Sequence, residues 1–190
     1  MKKKIISYER FDLFSRDDYK LEHVEQEAGR NFESLDKWLY LGADILDKNF
    51  AKIGMTMGDL ASRSYSSTRP SYYLFCAFKF KHNISMQDVK RVENDVLLRI
   101  DCLHRNVDAS SKRMIHYESG QLSECFYPVD FFDFYKDVHF EIYDRHRDSF
   151  VICGYENEFG MDDGEFVDCI FNSHQKNLHN EYIKIILQYN

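Results

Sequence analysis

The carboxylate of Glu93 lies within an otherwise apolar helical stripe. Ser85 is a typical helix N-cap, and the sequence that follows it predicts a helix from Met86 to about His104. The apolar residues that share one face of this helix are Met86, Val89, Val92, Val96, Leu97, Ile100 and Leu103. Burying an unpaired carboxylate is costly. We therefore expect Glu93 to have a charged partner, to bind a metal ion, or to lie at the exposed rim of the stripe.

Arg63 is a candidate for binding an anion. Asp59 is predicted to cap a helix that begins at Leu60, so Arg63 falls in the first turn. A cation in that position opposes the helix dipole, and an anion beside it would offset the mismatch. The planar guanidinium can hold a phosphate through two hydrogen bonds. An ordinary exposed arginine is the alternative.

Two strands are predicted upstream of Arg63. Two short apolar runs are joined by Asp47, Lys48 and Asn49, which are typical of a turn. Side chains alternate between the two faces of a strand. Tyr40 and Lys52 therefore lie on the opposite sides from the residues suited to a core, which are Leu39, Leu41, Ile53 and Met55.

Basic residues follow in the next part of the chain. The aromatic-rich run from Tyr72 to Lys81 predicts a third strand, and residues 105–120 predict a loop or hairpin before a short strand from Leu122 to Val129. Five basic side chains in these segments could contact a phosphate backbone, with ordinary solvated residues as the alternative: Lys79, Lys81, Arg105, Lys112 and Arg113.

These motifs together resemble the GIY-YIG nuclease family, in its branch with a K-I-G second motif. The resemblance covers about residues 35 to 130 and is carried by Trp38-Leu39-Tyr40, Lys52-Ile53-Gly54, Thr56, Arg63, Glu93 and Glu124-Cys125-Phe126. Glu93 matches the metal ligand on a helix of the family, and the last three residues match an E-W-F signature. The chain departs from the family in three ways. No Gly-Ile precedes Tyr40, Lys52 stands where many members have tyrosine, and Cys125 replaces the usual tryptophan.

The resemblance implies an α+β fold with a small three-stranded antiparallel sheet flanked by helices. It also implies an Mg²⁺-dependent endonuclease that hydrolyses phosphodiester bonds in DNA, with RNA left open as a substrate. Tyr40 would orient or deprotonate the attacking water, and the Lys52 ammonium would lower the pKa of its phenol. Arg63 would hold the scissile phosphate, and Glu93 would ligate one Mg²⁺. Glu124 would be structural or would support these residues.

The charge distribution predicts three regions. The net charge is −7, but residues 35–130 carry a balance of +1, whereas residues 131–190 carry −7. We expect residues 1–34 to form an N-terminal helical extension, residues 35–130 the nuclease module, and residues 131–190 an acidic C-terminal accessory subdomain, which could bind a protein partner. The histidines of the acidic region are expected at the surface: His139, His146, His174 and His179.

The composition indicates a cytoplasmic protein. The five cysteines are widely spaced and form no C-x-x-C pair, which favours reduced thiols. The chain has no apolar run of about 18 residues that would span a membrane, and its first apolar run is too short for a signal peptide.

Two other functions remain open at this stage. One is a catalytically silent relative of the nucleases that binds nucleic acid or a protein. The other is a structural or interaction protein, for instance of a virus, because the composition hints at an AT-rich viral or bacterial genome.

Overall fold

The computed structural model describes residues 37–58, 60, 63, 69–156 and 160–188. Its strands are β1 (Trp38–Asp44), β2 (Ala51–Thr56), β3 (Tyr72–Lys79), β4 (Arg113–Ile115), β5 (Leu122–Phe126), β6 (Ile152–Glu156), β7 (Asp162–Val167) and β8 (Cys169–Phe171). Its α-helices are α1 (Met86–Leu103), α2 (Phe131–His146) and α3 (His179–Ile186). The helix predicted within residues 1–34 and the cap predicted at Asp59 lie outside the described residues.

The hairpin predicted from the turn residues is confirmed. β1 and β2 pair antiparallel, with Tyr40 opposite Gly54 and Gly42 opposite Lys52. Two aspartates shape the connection, because their side chains accept backbone N–H groups two residues further on. Asp44 accepts from Leu46 at 2.9 Å, and Asp47 accepts from Asn49 at 3.1 Å. This register brings Tyr40 and Lys52 to the same side of the sheet.

The sheet has six strands, so the expectation of a small three-stranded sheet was wrong. The order is β4-β5-β2-β1-β3-β8, and every pair is antiparallel. The two outermost strands, β4 and β8, have three residues each. Segments this short show too little alternation to be recognised in the sequence. β6 and β7 form a separate two-stranded sheet.

The helix predicted around Glu93 is confirmed as α1. The Ser85 hydroxyl accepts the backbone N–H of Asp88 at 3.1 Å, as an N-cap does. The helix buries an apolar stripe against one face of the sheet, consisting of Val89, Val92, Val96, Leu97 and Ile100. Met86 and Leu103, at its two ends, are exposed.

Helix α2 completes the core on the same face and was not predicted. The Asp130 carboxylate caps it by accepting the N–H groups of Phe132 and Asp133. Its buried residues follow helical spacing: Phe131, Phe134, Tyr135, Val138, His139 and Ile142. Helix α2 and strand β8 thus place part of residues 131–190 in the same core as β1, β2 and β3.

No helix among the described residues is long and apolar enough to cross a membrane.

His139 is fully buried, so the expectation that it lies at the surface was wrong. Its Nε2 atom accepts the backbone N–H of Val167 at 3.0 Å, which requires a neutral imidazole. Burial lowers the pKa of His139 to about 3.

We expect His139 to make the fold acid-sensitive. Its folded-state pKa lies below its unfolded value of 6.5, so the unfolded state binds the proton first as the pH falls. The free energy of unfolding should drop by about 1.4 kcal/mol per pH unit through this group below pH 6.5. Urea denaturation of the native protein and of His139→Gln, which keeps an acceptor but does not titrate, measures the difference. Equal slopes against pH would contradict this role.

Candidate functional site

The candidate site lies on the face of the sheet opposite α1 and α2. Trp38, Tyr40, Leu74 and Ala77 form a small buried cluster there, and Leu60 packs against it. Paired residues of an antiparallel sheet share a face. Lys52, opposite Gly42, and Tyr72, opposite Asp44, therefore belong to this side as well.

The Tyr40 ring lies across β2, directly over Gly54. A Cβ atom built on Gly54 would lie 2.5 Å from the Tyr40 hydroxyl oxygen, which is closer than real Cβ atoms come to a non-bonded atom. Any other residue at position 54 would therefore displace the ring. This contact explains why the last position of the K-I-G motif is a glycine.

Lys52 lies next to the Tyr40 ring and to Glu124. Its Nζ atom is 5.9 Å from the centre of the Tyr40 ring and 3.7 Å from Oε2 of Glu124. Burial raises the pKa of Tyr40, and the Lys52 ammonium offsets this only in part. The lysine acts on the pKa in the direction that the sequence predicts, but burial outweighs it. Sequence spacing does not show how deeply the phenol is buried.

Arg63 is linked to the end of β2. Its Nε atom donates to the Thr56 hydroxyl at 3.3 Å, and Thr56 is buried. Its positive charge also lowers the pKa values of Tyr40 and Glu93. The guanidinium is therefore within electrostatic reach of both residues.

Glu93 is half-buried at the edge of β2. β5 pairs with β2 at Ala51 and Lys52. Further along β2, the Glu93 carboxylate accepts a hydrogen bond from the backbone of Met55. Burial, and then the neighbouring Glu124 carboxylate, raises the pKa of Glu93 to about 7. Among the roles expected for Glu93, this environment suits a carboxylate that gains from a nearby cation.

The structure thus brings together five residues that were predicted from the sequence: Tyr40, Lys52, Arg63, Glu93 and Glu124. We call them the five-residue cluster. Tyr72 was missed. It lies in the same electrostatic environment, because Tyr40, Glu124 and Arg63 all influence its pKa. Its place in an aromatic-rich strand resembles that of an ordinary core residue, so the sequence carries no signal for it.

The predicted phosphate contacts are placed differently from one another. Lys79 lies on the Tyr40 side of the sheet, with its Nζ atom 5.4 Å from the centre of the Trp38 ring. Arg105 pairs with Asp101 at 2.9 Å, and Arg113 donates to the Ser123 carbonyl at 2.8 Å. The Arg113 guanidinium therefore helps to hold the β4–β5 hairpin, whereas that of Arg105 connects the end of α1 to the loop before β4.

Lys81 and Lys112 are both half-buried. The backbone of Lys81 donates to the Ser149 carbonyl at 2.9 Å. Lys112 lies near His104, because its charge lowers that residue's pKa. These contacts give neither lysine a link to the five-residue cluster.

The oxygen ligands of the cluster suit one hydrated Mg²⁺. No group of three His, Cys, Asp or Glu side chains that could hold a metal occurs among the described residues. Mg²⁺ usually keeps several waters and takes one or two protein carboxylates. Glu93, with Glu124 beside it, offers donors of that kind.

The chain was compared with protein-family models, with curated proteins and with solved structures, and none of them matches. The likeness to GIY-YIG nucleases therefore depends on the residues and motifs named above. Any function has to be argued from the cluster itself.

We expect Gly54→Ala to be markedly less stable than the native protein. Its methyl group would clash with the Tyr40 ring, and overpacking of this kind costs about 1–3 kcal/mol. Gly154→Ala is the matched control, because a Cβ atom on this exposed strand glycine meets nothing within 4 Å. Urea denaturation of both variants gives their free energies of unfolding. Equal values would show that the Tyr40 ring moves aside at no cost.

Proposed function

We propose that this protein is an Mg²⁺-dependent endonuclease that hydrolyses phosphodiester bonds in DNA by the chemistry of GIY-YIG nucleases. The observation that carries the proposal is the convergence of Tyr40, Lys52, Arg63, Glu93 and Glu124, which come from β1, β2, a helical position between β2 and β3, α1 and β5.

Each side chain has a distinct role in this proposal. Arg63 holds the scissile phosphate through its planar fork. Tyr40 orients the attacking water as a phenol, or accepts its proton as a phenolate, and the Lys52 ammonium favours the phenolate. The Glu124 carboxylate pairs with the Lys52 ammonium, with Oε2 3.7 Å from Nζ, and holds the ammonium in position.

Glu93 is the proposed metal ligand. A bound Mg²⁺ would stabilise charge on the phosphate and on the departing oxygen. With a pKa of about 7, Glu93 is partly protonated at neutral pH, and a protonated carboxyl is a poor ligand. The metal would therefore bind more tightly as the pH rises through 7, and it would relieve the repulsion between Glu93 and Glu124.

A silent relative that binds nucleic acid without cutting it is the second candidate. One observation favours it: burial raises the pKa of Tyr40, so its phenol keeps its proton at neutral pH. In this case Arg63 and Lys52 would contact phosphate groups, and Tyr40 would only donate hydrogen bonds. A protein partner for residues 131–190 stays a prediction under both proposals.

We expect the purified protein to cut plasmid DNA in Mg²⁺, and Glu93→Ala and Arg63→Ala each to reduce the rate by about 100-fold or more. Glu118→Ala, which changes an exposed loop residue, is the control for preparation and for loss of a charge. Circular dichroism would establish that the variants are folded. If Glu93→Ala cut as fast as the native protein, Glu93 would not be a metal ligand. If the native protein bound DNA and never cut it, the second candidate function, binding nucleic acid without cutting it, would replace the nuclease proposal.

We expect Lys52→Met to impair cutting more than binding. Removing the ammonium raises the pKa of Tyr40, so the rise of rate with pH should move to higher pH. At a fixed pH the rate should fall about tenfold for each unit of that shift. DNA affinity, measured in EDTA, should change little by comparison. Lys112→Met, a change of a half-buried lysine beside His104, is the matched control. Coincident pH profiles of Lys52→Met and the native protein would make Lys52 an ordinary surface residue.

A further inference from the structure

The hydroxyl of Tyr72 is buried and has no hydrogen-bond partner among the described residues. The residue is 8% exposed and begins strand β3. Buried polar atoms are almost always hydrogen-bonded, since an unpaired one loses its hydration without compensation. The exception at Tyr72 therefore needs an explanation.

A glycine makes room for this hydroxyl, as it does for that of Tyr40. A Cβ atom on Gly42 would lie 2.1 Å from the Tyr72 oxygen, and one on Gly54 would lie 2.5 Å from the Tyr40 oxygen. Each ring thus lies over a bare position of the neighbouring strand, Tyr72 over β1 and Tyr40 over β2. The two hydroxyls are on the same side of the sheet.

The spacing of the two glycines fits a phosphate group. Gly42 pairs with Lys52, so Gly54 is its diagonal neighbour on β2. Diagonal neighbours in an antiparallel pair are roughly 7–8 Å apart. Each hydroxyl lies close to its glycine, so one phosphate group between them can accept a hydrogen bond of about 2.6 Å from each.

The charge of Arg63 near Tyr72 suits an anion, whereas that of Glu124 opposes one. Arg63 is close enough to lower the pKa of Tyr72, although burial raises it well above its usual range. Tyr40, Cys125 and Glu124 add to that increase. Tyr72 therefore stays protonated at every physiological pH and can act as a hydrogen-bond donor.

We propose that Tyr72 is a phosphate-binding residue of this site, and that its hydroxyl donates to a non-bridging oxygen of the phosphate group held by Arg63 and Tyr40. This inference rests on the proposed function for its substrate. The backbone of Lys52 lies beside the Tyr72 hydroxyl, because Lys52 pairs with Gly42 and the hydroxyl lies over Gly42. The flexible side chain of Lys52 moves aside towards Glu124, 3.7 Å from its ammonium, when phosphate enters. Tyr72 thus supplies, from β3, a second hydroxyl in a site where Lys52 replaces the family's second tyrosine.

The test compares Tyr72→Phe with Tyr73→Phe. Tyr73 is the next residue along β3, on the other face, and its hydroxyl accepts from Gln175 at 3.3 Å. The probe is inorganic phosphate, added in EDTA to protein with isotope-labelled tyrosine rings and followed by NMR. Phosphate should shift the Tyr72 and Tyr40 signals, and Tyr72→Phe should weaken its binding about tenfold. Tyr73→Phe should bind phosphate like the native protein.

The same variants separate this inference from the proposed function. Tyr72→Phe should lower kcat/KM for DNA cutting about tenfold or more, without lowering the thermal midpoint, because it removes a hydroxyl that has no partner. If the native protein never cuts DNA but phosphate shifts Tyr72, the nuclease proposal fails and the binding site stands. If the native protein cuts DNA and Tyr72→Phe binds phosphate and cuts equally well, the role of Tyr72 is overturned. A clear loss of stability in Tyr72→Phe, or no phosphate shift in the native protein, would overturn it too.

Discussion

The site depends on the close approach of two tyrosine rings to bare backbone. Tyr40 can lie over β2, and Tyr72 over β1, only because positions 54 and 42 carry no side chain. In a sheet, a glycine usually weakens a strand, since it has high entropy when unfolded and nothing to pack. Here the rings replace the missing packing. They also keep two hydroxyls close to the backbone, at a fixed height above the sheet, where a long flexible side chain would not stay.

One face of the sheet forms the core and the other carries the candidate site, and the edge of β2 connects the two faces. One face packs against α1 and α2 around a continuous apolar core. The other carries Tyr40, Lys52 and Tyr72. Glu93 belongs to a helix on the core side, yet it is close to the cluster because β5 pairs with β2 over only two positions, Ala51 and Lys52. A longer ladder between these strands would have closed the gap in which the carboxylate lies.

The sequence predicted what depends on local pattern. The β1–β2 hairpin follows from turn residues and alternation, and α1 follows from its cap at Ser85 and its apolar period. The resemblance to a nuclease family placed Tyr40, Lys52, Arg63 and Glu93 in one group. Quantities that depend on the assembled fold could not be read in this way. The burial of Tyr40 outweighs the charge of Lys52, and the position of the Tyr72 ring over Gly42 is seen only in the assembled sheet.

Helix α2 and strand β8 were missed for a different reason. In α2 aromatic and acidic residues are closely mixed, so the helical spacing of the buried ones is hidden until their partners are known. β8 has only three residues, and its place is decided by the free edge of β3 rather than by its own sequence.

The pairing of β8 with β3 has a consequence for the order in which the protein matures. Cys76, in the strand that starts with Tyr72, lies opposite Phe171, which is far away in the sequence. Contacts between such distant residues form late, because closing a long loop costs entropy before the contact can repay it. A ribosome has also translated all of β1 to β7 before β8 exists. The strand that carries Tyr72 therefore keeps an open edge until β8 has been made, and the sheet that carries the cluster is complete only then.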